Sequence, residues 1–175
     1  MRLDTNRDRL ERLMRELGES VGSPPRVYLT GGACAVLLGW RDMTLDVDLK
    51  ADPEPAGFYE ALPRLKESLN INIKLASPDL FVPALPGWQD RSRFIAKYGQ
   101  IDFYHYDFYG QALAKIERGH ARDQHDIANM LLSGKVEGPK LWELFQQVEH
   151  LLNRYPALDP VSLKSRALEF ASKPI

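Results

Sequence analysis

Cysteine is nearly missing from this chain. Cys34 stands alone, so no internal disulfide can form. It lies among small and apolar residues and is expected as a small buried hydrophobe. Long apolar runs are missing too: nothing approaches the ~20 residues of a membrane-spanning helix. The first residues are too polar for a secretory leader, which leaves a cytoplasmic location as the expectation. Neither sign of charge dominates. Lys and Arg total 23 against 24 Asp and Glu, a net of −1. A broad nucleic-acid-binding surface is therefore not expected. Internal repeats and low-complexity segments are also lacking.

What is present is an ordinary globular composition, with 44% hydrophobic and 27% charged residues over 175 positions. Leu10, Leu13, Met14 and Leu17 recur at helical spacing, and Gly18 with the Gly22-Ser23-Pro24-Pro25 stretch is expected to end that helix. Arg26 to Thr30 reads as a short strand, Gly31-Gly32 as a turn, and Ala33 to Leu38 as a short apolar helix. Leu45 to Lys50 reads as a second strand, and residues 56 to 69 as an amphipathic helix that Pro63 kinks or delays. Asn70 to Leu75 alternates like a strand. Residues 77 to 92 are rich in proline and read as a long loop over the sheet. Phe94 to Tyr98 and Ile101 to Tyr106 flank Gly99-Gln100 as a hairpin would. From Tyr109 onward the pattern is helical. The expected fold class is α+β: a small mixed β-sheet flanked by helices, with a helical C-terminal third. Residues 1–108 would form the α/β core with its N-terminal helix, and 109–175 a helical extension packed on it.

The chemistry concentrates at Leu45-Asp46-Val47-Asp48-Leu49. Strand residues i and i+2 share a face, with Cα atoms about 6.6 Å apart. Asp46 and Asp48 would stand side by side there, with Leu45, Val47 and Leu49 turned into the core. Fourteen positions before Asp46, Gly32 completes the pair Gly31-Gly32 between a strand and a helix. Such a turn lets backbone N–H groups approach a phosphate at a helix N-terminus. Two carboxylates suit Mg²⁺, which takes one or two of them together with phosphate oxygens and water. Each motif alone is common; together they describe phosphate handling with a metal bridge.

Thr30-Gly31-Gly32-Ala33 followed by Thr44-Leu45-Asp46-Val47-Asp48-Leu49 resembles the signature of the nucleotidyltransferase superfamily that includes DNA polymerase β. The nearest likeness is to its small bacterial members, including the abortive-infection type of toxin–antitoxin pairs. Several of these carry a later lysine and acidic cluster, matched here by Leu113-Ala114-Lys115-Ile116 and Asp123-Gln124-His125-Asp126. The resemblance implies transfer of a nucleotidyl group from a nucleoside triphosphate to a protein or RNA hydroxyl. It implies that Asp46 and Asp48 hold one or two Mg²⁺ ions and that Thr30, Gly31 and Gly32 cradle phosphate. A third carboxylate normally completes such a site as a metal ligand and helps deprotonate the acceptor. Asp102 is the candidate, with Asp107 its rival. Lys115 would offer a point charge to the outer phosphates, or else be a surface lysine on an amphipathic helix.

Arg41 stands just before the acidic strand, where it would meet phosphate or pair with Asp42. Asp123 is a further candidate for the nucleotide site, either at a helix start or supporting Lys115 together with Asp126. His120 and His125 are five apart, a poor spacing for zinc. The aromatic run from Phe103 to Tyr109 reads mainly as core and sheet surface. A second reading stays open beside the enzyme: a catalytically inactive nucleotidyltransferase-fold protein that binds or regulates a partner.

Overall fold

Arg26–Thr30, largely buried, and Asp46–Asp52, which alternates charged and apolar residues, pair antiparallel at the heart of a five-stranded mixed sheet. The computed structural model describes residues 3–22 and 26–173. Ser23, Pro24 and Pro25, expected to help close the first helix, lie outside the described residues. In chain order the elements are β1 (Thr5–Asn6), α1 (Arg7–Ser20), β2 (Arg26–Thr30), α2 (Gly32–Leu37), β3 (Met43–Thr44), β4 (Asp46–Asp52), α3 (Phe58–Ser68) and β5 (Asn72–Leu75). They continue as α4 (Trp88–Arg91), β6 (Arg93–Tyr98), β7 (Ile101–His105), α5 (Phe108–Arg118), α6 (Ala121–Leu132), α7 (Gly138–Val148) and α8 (Pro160–Ala171). Short 3₁₀ turns at Pro78–Leu80 and Glu149–Arg154 complete them. The α+β class with a mixed sheet is as the sequence implies.

The chain forms two compact units. The first takes the residues through Ser77 together with Ser92–His105; the second takes Pro78–Arg91 and the residues from Tyr106 on. In the first, the sheet order is β5-β4-β2-β7-β6. Alternation along β4 buries Val47, Leu49 and Ala51 and leaves Asp46, Asp48, Lys50 and Asp52 half-buried on the other face. The apolar face joins Val27, Leu29, Ile101 and Phe103 to Leu10, Leu13, Met14 and Leu17 of α1, Cys34 and Val36 of α2, and Phe58, Leu62 and Leu65 of α3. Cys34 is buried there, as expected of a small hydrophobe. Burial of this many apolar side chains, each contributing about 1.5–3 kcal/mol, is what holds the sheet and its helices together.

Several local expectations change. Gly18 does not end α1, which runs on to Ser20. Its lack of a side chain serves a close approach instead: a Cβ there would stand 2.2 Å from the carbonyl oxygen of Tyr98. Leu45 is 57% exposed rather than in the core. It falls between β3, which pairs with β1 in a separate two-stranded ribbon, and β4, which joins the main sheet only from Asp46. The amphipathic helix starts at Phe58 after Gly57 and continues through Pro63. The proline-rich stretch from 78 to 91 carries a 3₁₀ turn and the one-turn helix α4, and belongs to the second unit.

In that second unit α5 packs on α6 and α8, and α7 on α8. Leu113, Met130, Leu141, Phe145, Leu163 and Phe170 are among its buried residues. Asp107 caps α5 by accepting from the Tyr109 N–H at 3.2 Å, and Asp159 caps α8 by accepting from the N–H groups of Val161 and Ser162. Among the described residues no helix is long and apolar enough to cross a membrane.

Candidate active site

Antiparallel pairing dictates where the two sequence motifs meet. β2 must end where β4 begins, and the register sets Thr30 opposite Asp48. The chain leaves β2 through Gly31, whose φ of 61° lies in the left-handed region that glycine tolerates. A Cβ on Gly31 would stand 3.5 Å from Asp48 Oδ2, so the turn is laid directly against the carboxylate. Gly32 opens α2. A Cβ there would stand 2.1 Å from Thr44 Oγ1 and 3.7 Å from an Arg41 guanidinium nitrogen, so only glycine fits. Thr44 in turn donates to the Asp46 carbonyl at 3.0 Å, fixing the start of β4. Thr30, Gly31, Gly32, Arg41, Asp46 and Asp48 therefore gather at one end of the β2–β4 pair.

The neighbouring strand adds two residues that the sequence pattern did not single out. β5 runs parallel to β4, with Asn72 level with Asp46 and Lys74 level with Asp48. Lys74 Nζ lies 2.7 Å from Asp46 Oδ2, and the Asn72 side-chain amide donates to Oδ1. The hydrogen bond to Asp46 raises the pKa of the Lys74 ammonium. Partial desolvation opposes it, and the charges of Asp46 and Asp48 reinforce it. The alternation Asn72-Ile73-Lys74 was the available signal, since it puts both polar residues on one face; what it lacked was the register.

Asp102 lies elsewhere. β7 runs parallel to β2, so it starts beside Arg26, and Asp102 is level with that residue at the far end. Four residue steps along β2 separate Arg26 from Thr30, about 13 Å at the usual rise. Asp102 shares the sheet face of the carboxylate pair but meets Lys97 at 3.2 Å. Arg26 reaches over the Tyr104 ring there, 5.5 Å from its centroid.

The remaining candidates belong to the second unit. Asp107 is fully buried and takes two bonds from Arg91, at 3.1 and 2.7 Å. Lys115, on α5, is 5% exposed, with Nζ 2.7 Å from Asp126 Oδ2 and 3.4 Å from Asp123 Oδ1. Arg118 grips Asp123 through both carboxylate oxygens, and the backbone N–H of His120 also donates to it. Burial pushes the Asp123 carboxyl up, but the Arg118 hydrogen bond and the Lys115 charge outweigh it and hold the pKa below the usual value. The closeness of Asp123 and Asp126 to Lys115, one of the arrangements their spacing suggested, is what the structure shows. Two of the three N–H donors of the Lys115 ammonium are thereby engaged.

The donor set at Asp46 and Asp48 is two hard carboxylates, which suits Mg²⁺. Among the described residues no group of three or more His, Cys, Asp and Glu side chains is placed to hold a metal. The pair therefore suits an ion held jointly with phosphate oxygens rather than by protein alone.

A family model described as a nucleotidyltransferase of unknown function (DUF6036) matches residues 8–166. No curated protein and no solved structure matches the chain.

Proposed function

The chain belongs to the nucleotidyltransferases of unknown function (DUF6036), and from that premise we propose that the end of the β2–β4 pair is a Mg²⁺-dependent nucleotidyl-transfer site acting on a protein or RNA hydroxyl. The observation that supports it is the seating of Gly31 against Asp48, which brings the Gly31-Gly32 turn and the carboxylate pair close together. The Gly31-Gly32 backbone receives the phosphates, and the Arg41 guanidinium beside Gly32 adds positive charge. Asp46 and Asp48, on one face of β4, would hold the metal with its triphosphate. Bound Mg²⁺ would supply charge neutralisation on the phosphates. The acceptor oxygen bonds to the α-phosphorus as the bond to pyrophosphate breaks, and the hydroxyl proton passes to water.

The test compares the protein with an Asp46→Ala/Asp48→Ala variant. Each is incubated with α-labelled nucleoside triphosphates, Mg²⁺ and cell extract. Label transferred to protein or RNA by the first and not by the second is expected; equal label in both would sink the proposal. One observation favours the alternative of an inactive binding or regulatory protein, such as one half of a toxin–antitoxin pair. Asp102, the expected third carboxylate, stands at the far end of the sheet beside Lys97. Triphosphate bound at the site with no label transferred to any acceptor would favour that reading.

A further inference from the structure

We propose that Lys74 is the built-in counter-cation of the Asp46–Asp48 pair: it neutralises Asp46 in the free protein and turns to the triphosphate tail when nucleotide binds with its metal. The inference rests on the nucleotidyl-transfer reading and adds a residue that sets what the site will accept. Both oxygens of Asp46 already have donors, Lys74 on Oδ2 and Asn72 on Oδ1. A divalent ion approaching without nucleotide meets a pair whose charge is halved by the ammonium. An ion arriving with a triphosphate brings phosphate oxygens that compete for Lys74 and release Asp46. The site then discriminates against bare metal and in favour of the metal–triphosphate.

The geometry allows that exchange. Side-chain exposure is 52% for Lys74 and 35% for Asp46, and ion pairs this open to water hold weakly. β5 is the edge strand of the sheet, and Lys74 and Leu75 at its end are exposed. A lysine is a flexible point charge with three donors, well suited to moving from a carboxylate to a phosphate. Asn72 stays on Oδ1 as the fixed half of the arrangement, keeping the carboxylate plane oriented while Lys74 leaves Oδ2.

The proposal makes two changes of opposite sign in one variant. In Lys74→Met, Mn²⁺ alone, followed by the loss of its free-ion electron paramagnetic resonance signal, is expected to bind about five- to tenfold tighter. A non-hydrolysable triphosphate analogue with Mg²⁺, followed by calorimetry, is expected to bind weaker by a similar factor, about five- to tenfold. Lys74→Arg, which keeps the charge, is expected to stay close to the unsubstituted protein in both. If both affinities stay unchanged in Lys74→Met, or both weaken together, the proposal is overturned. An Asp46→Asn/Asp48→Asn variant separates this failure from that of the underlying site. Mn²⁺ binding abolished there yet unchanged in Lys74→Met removes only the role of Lys74. Mn²⁺ binding unaffected by loss of both carboxylates removes the metal site itself.

Discussion

Lys74 meets Asp46 at 2.7 Å in the sheet unit, and Lys115 meets Asp126 at the same 2.7 Å in the helical unit. Access to water separates the two pairs. Exposure is 52% and 35% in the first but 7% and 1% in the second. Desolvated charges that lose a partner are left uncompensated in a low dielectric, whereas exposed ones regain water. The second pair also has Asp123 and Arg118 woven into it, so its geometry is over-determined. One bond length thus describes a contact open to water and a contact that ties two helices together.

The largest effect that sharpens this contrast is on stability. Lys115→Met is expected to cost about 3–5 kcal/mol, by leaving Asp126 buried without its cation. Lys74→Met is expected to cost less than about 1 kcal/mol. Urea denaturation of both variants measures the difference, and equal losses would erase the contrast. A smaller effect shows that steric fit rather than charge fixes the sheet unit locally. Gly32→Ala forces a methyl onto Thr44. A destabilisation of about 1–3 kcal/mol is expected, as for other overpacked sites. A melting temperature equal to that of the unsubstituted protein would refute the tight fit.

The smallest effect is the pH dependence of the buried cluster. Asp123 is held below its unfolded pKa, so the folded state binds its proton less tightly than the unfolded state does. Its contribution is fully present above the unfolded carboxylate range, near pH 4, and is lost as the pH falls through the lowered folded value. In Asp123→Asn the acid side of the stability profile should flatten below about pH 4 and stay parallel to that of the unsubstituted protein above it. Parallel curves throughout would show that Asp123 does not titrate differently on folding.

What could be read from the sequence followed how local each cause was. β2 was legible to the residue because its apolar run ends at a glycine pair, and both causes lie within a few positions. The shared face of Asp46 and Asp48 follows from strand alternation alone, and the structure has it. Gly18 reads as a helix stop because the atom it makes room for, the Tyr98 carbonyl, is eighty positions away. Leu45 fits the alternation of β4, yet pairing of Met43–Thr44 with β1 ends the regular strand short of it. Asp102 has the right parity and the wrong end, since parity is local while the direction of β7 against β2 is set only on folding. Lys74 is illegible for the same reason: nothing near it in the chain announces that it lies beside Asp46.

Arg91 holds Asp107 with two bonds and also donates to the Pro86 carbonyl at 2.6 Å, while Trp88 stacks on Tyr106 with centroids 4.7 Å apart. The segment Pro78–Arg91 is thereby part of the helical unit, although β6 and β7 follow it in the chain. The gene order of the two units is consequently interleaved. A single recombination crossover cannot exchange one unit for a homologous one. A chain cut after His105 would carry Trp88 and Arg91 without Tyr106 and Asp107, their partners. Isolating the sheet unit therefore means excising an internal segment rather than truncating the chain.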